Sequence, residues 1–482
     1  MNILLVFLAI TVNFEVYAWF NLSTSGITTN DFITLFLIIL FVKTLLWDGR
    51  EIKLAKNPAI LLYFTFLAAT FISGIYPLVS GEGELISQYM KTMIHFHFTA
   101  MLTIIIIFHK FENDVWNKFI QVWLILSIFI NIFGVYQIIA RAFDLPFAWI
   151  DLTNAAFFSR NQNEVDDFTQ LSLRFEGFFR ATSFFSEPSA LGAFNGITLA
   201  FAIIPRIKNF KMFLRSKLLN NVIIILSLIG LMLAFSLTGV AIVLLMLLTV
   251  FITERLNLFL SILKYLPLII IFVFLVDFGV ESYSGISLLE LFGKRFGTLA
   301  NLLTGSSGFG SGIDGESVTM RGKNFTAMMD IWQSSPLFGI GLGLTYYSPY
   351  SQGWAFSDSS IMAVLAELGL VGAIPYILLF ATLYIVSFKI LRVKQISSKL
   401  DHDSGRLISI SIYIMSYLIV TNFVSANNLI SAVSAIFIGF VISVQNNYYI
   451  DIKKDFYSIK IFNSPLKEYY YLPEAKKRNI LI

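Results

Sequence analysis

The sequence predicts an all-α polytopic membrane protein of about twelve transmembrane helices with two large outer loops. Composition is the first observation behind this. Of 482 residues, 57% are hydrophobic and only 13% charged, about half the charge of a water-soluble domain this long. Periodicity is the second: apolar runs near the ~20 residues that cross a hydrocarbon core recur along the chain. The third is that short basic segments separate these runs.

Taken in order, the expected spans are 2–20, 31–48, 58–77, 93–109, 119–141, 187–205, 218–235, 238–253, 265–280, 359–387, 407–424 and 429–444. The first is interrupted by Asn13 and Glu15. Its start lacks a basic leader and a small-residue cleavage site, so it reads as a span and not a cleaved signal. The seventh and eighth are joined only by Ser236-Leu-Thr-Gly239, a tight hairpin or a partly broken pair. Residues 1–482 form one integral membrane domain, with no internal repeat between its halves.

Lys and Arg set the orientation. With the N-terminus inside, segments 49–57, 110–118, 206–217, 254–264, 388–406 and the basic tail 445–482, with Lys43, hold 25 of the 34 basic residues. The N- and C-termini are then both cytoplasmic, in agreement with an even number of spans. Outside lie two long loops, 142–186 and 281–358. Long loops in compact proteins carry function or are disordered. Within the second, 304–317 is Gly/Ser-rich and reads as a hinge. The chain has no cysteine, which excludes disulfide and thiolate chemistry. No basic face is free of the bilayer, which excludes nucleic-acid binding.

The candidate chemistry lies in the outer loops. Arg180 stands just before the sixth span and Arg321 ahead of the tenth. A guanidinium at the membrane boundary suits bidentate phosphate binding, although a boundary Arg also snorkels to headgroups with no further role. Two of them, in the two long loops, favour a lipid-linked diphosphate. Residues 321–332 fit a short amphipathic helix with Arg321, Phe325, Met328 and Trp332 at helical spacing. It would bury Phe and Trp in the interface and present Arg321 and Lys323, or be an ordinary interfacial helix.

Glu187 and Asp358 each begin a span, where the helix dipole alone favours an acid. Either is also placed to accept a proton from a sugar hydroxyl. Glu367 lies deeper in a span, where a carboxylate is costly; it is expected to be structural, paired with an Arg or a break in the backbone. His95 and His97, at i and i+2, do not share a helix face, which argues against a metal site. No His lies in either long loop, so neither a Ser-His-Asp triad nor a zinc site assembles there. Gly339, Gly341 and Gly343 in SSPLFGIGLGL follow no strand, are followed by no Gly-Lys-Ser/Thr, and so do not cradle a nucleotide. They are expected to form a flexible turn that lets backbone pack closely at the membrane surface.

From Arg180 onward the chain resembles the Wzy/O-antigen-ligase superfamily of bacterial polysaccharide polymerases and ligases. The resemblance rests on RATSFFSEPSALGAF at 180–194, LAFSLTGVAIVLLM at 233–246, and RGKNFTAMMDIWQSSPLFGIGLGL at 321–344 running into LAELGLVGAIPYILLF at 365–380. Residues 1–140 match in hydropathy only. The resemblance implies a GT-C-like, metal-independent and cofactor-free transferase. It would act on undecaprenyl-diphosphate-linked glycans at the periplasmic face of the bacterial inner membrane, in contact with membrane lipid, a chain-length regulator and a flippase. Arg180 and Arg321 would hold the diphosphate, with Arg160, Arg174, Arg295 and Lys323 as weaker assignments that match no motif. Ligases of this superfamily carry a His about nine residues before the Glu of ELG, where this chain has Asp358. That favours a polymerase of repeat units, such as O-antigen, over a ligase to lipid A core. A non-enzymatic repeat-unit flippase is the third reading; it would place charges deep in several helices, and here the span interiors are nearly neutral.

Overall fold

The computed structural model describes residues 1–22, 25–47, 52–155, 170, 174–175, 178–253, 266–285, 287, 289–290, 293, 316–351, 359–392, 402–424, 431–450 and 456–459. It is a helical bundle, and each expected span has a helix over it. In chain order these are α1 (Asn2–Thr11), α2 (Thr29–Leu46), α3 (Pro58–Ile72), α4 (Ile75–Ser80), α5 (Gly83–Phe108), α6 (Asn113–Phe143), α7 (Pro188–Ile207), α8 (Lys217–Ala234), α9 (Leu237–Thr253), α10 (Leu266–Ser284), α11 (Glu316–Ser334), α12 (Ser360–Arg392), α13 (His402–Val424) and α14 (Ala432–Tyr448). Among the described residues, eight helical segments are long and apolar enough to cross a membrane, and α1, α9 and α14 are shorter apolar helices.

Two boundaries differ from the sequence expectation for physical reasons, and one open alternative is resolved. The first span does not run to residue 20. A 3-10 turn, Val12–Phe14, ends it, and strands β1 (Ala18–Leu22) and β2 (Ser25–Thr28) then form an antiparallel hairpin. Thr28 and Asp31 close a capping box on α2: Asp31 Oδ2 accepts from Thr28 N at 2.7 Å and from Thr28 Oγ1 at 2.8 Å. That box uses up donors which an α-helix N-terminus otherwise leaves unpaired. The third span breaks at Ser73–Gly74 into α3 and α4. The Ser236 link is a tight hairpin, with Phe235 in the left-handed region at φ 47°.

Helix α13 is buried along most of its length, packed on α7, α9, α12 and α14, while α5 lies on α14 and α6 on α1 and α8. Aromatic rings fill the centre. Trp123 stacks on Phe194 with centroids 5.0 Å apart, and Phe437 meets both Trp123 and Phe119 edge-on. At the end that the topology reading assigns to the cytoplasm, β3 (Ile52–Ala55) pairs antiparallel with the C-terminal strand Phe456–Ile459. Arg406 is buried there, donating to Asn117 Oδ1 at 2.9 Å and Asp403 Oδ1 at 2.8 Å over the Phe213 ring.

The glycine-rich stretch is a structural clamp. Helix α12 is interrupted at Gly369, whose φ of 60° and ψ of −161° no right-handed helix contains. The break leaves peptide groups unpaired, and residues 336–341 pair them. Ile340 N donates to Ala366 O at 3.1 Å and Gly341 N to Glu367 O at 2.9 Å, while Leu370 N and Val371 N donate to Pro336 O and Leu337 O at 2.9 and 3.1 Å. Gly339, Gly341 and Gly343 all have positive φ, at 69°, 104° and 77°. A Cβ at Gly339 would collide with the Glu367 carbonyl and Leu368 N, and one at Gly369 with the backbone of Leu337. The close approach expected of these glycines is present, but the partner is α12. Glu367 is buried and accepts from Thr345 Oγ1 at 3.3 Å and from the Gly343 N–H. Of the two partners expected for it, the broken backbone is the one the fold supplies.

Helix α11 covers the amphipathic segment, and part of its apolar face packs on protein. Met328 and Ile331 are buried against the bundle while Phe325 is exposed, because α11 packs on α12. Trp332 Nε1 donates to Pro336 O at 3.2 Å, linking α11 to the clamp.

Gly339→Ala or Gly369→Ala combines left-handed strain with a backbone collision, and is expected to cost about 2 kcal/mol or more. A lowered thermal midpoint in detergent, followed by intrinsic fluorescence, is the readout; an unchanged midpoint would contradict the clamp.

Candidate functional site

The site is built from the helix ends on the side of the two long loops. A cavity of about 230 Å³ opens there, walled by the β1–β2 hairpin, the starts of α2, α7 and α14, the end of α13 and the middle of α5. Its polar lining includes Glu15, Asn30, Asp31, His95, Glu187 and Ser186, and Phe185, Phe194 and Tyr417 add aromatic surface. The described lining contains no Lys or Arg. Among the described residues, no group of three His, Cys, Asp or Glu could hold a metal ion.

Glu187 stands where the sequence reading put it, at the N-terminus of α7, and the structure adds that it lines the cavity. Its backbone is extended, Pro188 takes the first helical position, and the exposed carboxylate accepts from Ser189 Oγ. Pro is suited to that position because its missing N–H would be unpaired there in any case.

Arg180 is not part of the described lining. It is half-buried, and its main-chain carbonyl accepts from Arg141. Arg141 was legible in the sequence only as one more outer basic residue, yet it anchors the first loop. Only 8% exposed, it donates to Ala148 O at 2.9 Å, Gln170 Oε1 at 3.1 Å and Thr182 Oγ1 at 2.8 Å, over the ring of Trp149 at 4.1 Å. Gln137 Oε1 accepts from Thr182 N at 3.1 Å and Ser183 N at 2.7 Å, and Gln170 Nε2 donates to Ser183 O and Phe185 O at 2.7 Å each. This network fixes residues 180–185, which lead straight into Glu187.

The other expected site residues are less fully seen. Arg160, Arg295 and Asp358 lie outside the described residues. Arg174 lies in the two-residue strand Arg174–Phe175, paired with Phe178–Phe179, while Arg321 and Lys323 lie on α11. The side chains of these three are outside the described set.

Glu15, Asn30, Asp31 and His95 are among the cavity residues that sequence reasoning missed. Glu15 and His95 had signals. Glu15 interrupts an apolar run, and a carboxylate in such a run calls for a polar environment. The HFH pair does point two ways, as i and i+2 must: His95 lines the cavity, while His97 bonds Met93 O at 2.9 Å and packs on Phe71. Glu15, just beyond the 3-10 turn, accepts from Ala432 N at 3.1 Å and so caps α14. Burial pushes its carboxyl up to about 8, against the lowering effect of the Ala432 and Val433 N–H groups.

Helices long and apolar enough to cross a membrane, with a polar cavity among their ends, define a polytopic membrane protein. Residues 222–377 match the Wzy_C family model, described as O-antigen ligase. The resemblance read from the sequence therefore holds over residues 222–377, which match a family of membrane ligases and polymerases of polysaccharide biosynthesis, while the motif at 180–194 lies outside the match. No curated protein matches the chain. The match spans both halves of the Gly369 clamp. Of the described cavity lining, Thr238 alone falls within it.

Two outcomes follow. Arg141→Ala leaves several buried acceptors unpaired and should cost about 3 kcal/mol or more, with faster proteolysis within 142–186; Lys, lacking the planar fork, should not restore resistance. For Glu15 the folded state holds its proton more tightly than the unfolded chain. Its contribution is complete below the ordinary value of 4.5 and declines as pH rises through about 8. Glu15→Gln keeps an acceptor for Ala432 N, so its melting temperature should fall less than that of the wild type between about pH 5 and pH 9.

Proposed function

We propose that the chain polymerises undecaprenyl-diphosphate-linked oligosaccharide repeat units into O-antigen or a related polysaccharide at the periplasmic face of the inner membrane. In this reading it has twelve spans with both termini cytoplasmic. The matched domain supports the glycan chemistry, and the single observation that favours polymerase is Asp358, nine residues before Glu367, where ligases carry His.

The growing chain on its lipid diphosphate is the donor, and a terminal sugar hydroxyl of a new lipid-linked unit is the acceptor. The hydroxyl oxygen bonds to the anomeric carbon, the bond from that carbon to the diphosphate oxygen breaks, and undecaprenyl diphosphate leaves. Glu187 or Asp358 takes the hydroxyl proton. Arg180 and Arg321, with Lys323, Arg174, Arg160 and Arg295 around them, neutralise the charge that builds on the leaving diphosphate. The acidic, cation-free described lining of the cavity supports an acceptor side at Glu187 apart from the diphosphate side. A chain-length regulator and a flippase are the partners this pathway would supply.

Deleting the gene in its host and examining lipopolysaccharide by gel separates the readings. A polymerase leaves one repeat unit per core; a ligase leaves none, and that result would overturn the proposal. Complementation with Glu187→Gln should lower the polymerisation rate by about 10²–10⁴-fold if Glu187 is the base; full-length ladders at equal expression would remove it from that role and leave Asp358.

A further inference from the structure

Asn30 is a cavity residue whose side-chain amide the described fold leaves unpaired. It occupies the second position of α2, inside the capping box that Thr28 and Asp31 form. It is 4% exposed and lines the cavity, and neither its amide nitrogen nor its carbonyl oxygen has a hydrogen-bond partner. A buried amide left unpaired is costly, and native structures rarely keep one without a reason. Three neighbouring polar groups differ, because they have structural duties. Asp31 Oδ2 caps α2, Glu15 caps α14, and Asn154 joins the hairpin to the first loop by accepting from Gly26 N at 2.9 Å and donating to Glu15 O at 2.7 Å. The His95 ring lines the cavity beside them.

The chemistry around Asn30 selects the ligand. One amide supplies a donor and an acceptor side by side, which is what a pair of adjacent hydroxyls requires. Acidic side chains at Asp31 and Glu187 accept from hydroxyls and repel phosphate, and the buried Glu15 carboxyl adds a further hydrogen-bonding group beside them. Phe185 and Tyr417 offer apolar surface for the C–H face of a ring. The volume of about 230 Å³ lies below the roughly 300–1,000 Å³ of pockets for drug-sized ligands, which suits one ring and not an oligosaccharide. We infer that Asn30, with His95 and the Glu15 and Asp31 carboxyl groups, forms a subsite that holds a single uncharged sugar ring of the acceptor by its hydroxyls. This rests on the glycan-transfer reading above and adds to it the residues that read the acceptor sugar.

The test uses the full chain in lipid nanodiscs. Methyl glycosides of hexoses, 6-deoxyhexoses and N-acetylhexosamines serve as probes, and binding is read by saturation-transfer NMR. At least one class should bind, and Asn30→Ala should weaken it about tenfold, the worth of one good hydrogen bond. The isosteric Asn30→Asp keeps the shape but loses the donor and should weaken it too, which covers a fold defect in the Ala variant. If no class binds, or binding is unaltered in both variants, the subsite is wrong. Turnover on lipid-linked repeat units, measured on the same preparation, separates this result from the polymerase reading. Bound glycoside without polymer keeps the subsite and sinks the polymerase; polymer formed with an unchanged acceptor KM in both Asn30 variants sinks the subsite.

Discussion

Four backbone hydrogen bonds across the Gly369 break hold the glycine-rich stretch 336–341 to the middle of α12. A helix interrupted among other helices exposes peptide groups that a membrane interior cannot solvate, so another piece of backbone must pair them. Residues 336–341 do so, and only glycine at 339 and 369 allows the two backbones to come that close. The position of α11 follows from the same contact. Its C-terminal turn is tied to Pro336 through Trp332, and its buried face, Met328 and Ile331, lies on the bundle. Glu367, buried in α12, completes the clamp by accepting from the Gly343 N–H and Thr345.

Two buried arginines tie the opposite ends of the molecule. Arg406 at one end meets Asp403 and Asn117. Arg141 at the other end is held by carbonyls, a hydroxyl, an amide and an indole face, all of them neutral. A guanidinium suits this because its five donors lie in one plane and point in fixed directions. The Arg141 network orders residues 180–185, and with them the approach of the chain to Glu187. A motif that reads as a phosphate site in sequence therefore also includes a segment held in place from beneath by α6.

Sequence patterning shows the membrane helices because crossing a bilayer demands about 20 apolar residues in a row. It places Glu187 correctly because a Ser-Glu-Pro-Ser start before an apolar run marks a helix N-terminus. It does not show that the Gly339 loop pairs with Gly369, since that pairing joins peptide groups and leaves no trace in side-chain periodicity. Nor does it show the cavity. Glu15, Asn30, His95 and Glu187 lie far apart along the chain, and their meeting depends on how α1, α2, α5 and α7 pack. The amphipathic pattern of 321–332 is real, but period alone does not tell a face against lipid from a face against protein, and α11 uses Met328 and Ile331 against protein.

The cavity wall and the matched domain are largely different stretches of chain. The clamp lies within 222–377, while the hairpin wall lies within residues 12–31. A two-stranded ribbon suspended between helix ends can exchange the side chains at its base without disturbing the peptide pairing at Gly369. Such a division lets residues 12–31 vary while the peptide pairing of the clamp stays constant, as interchangeable bits serve one drill.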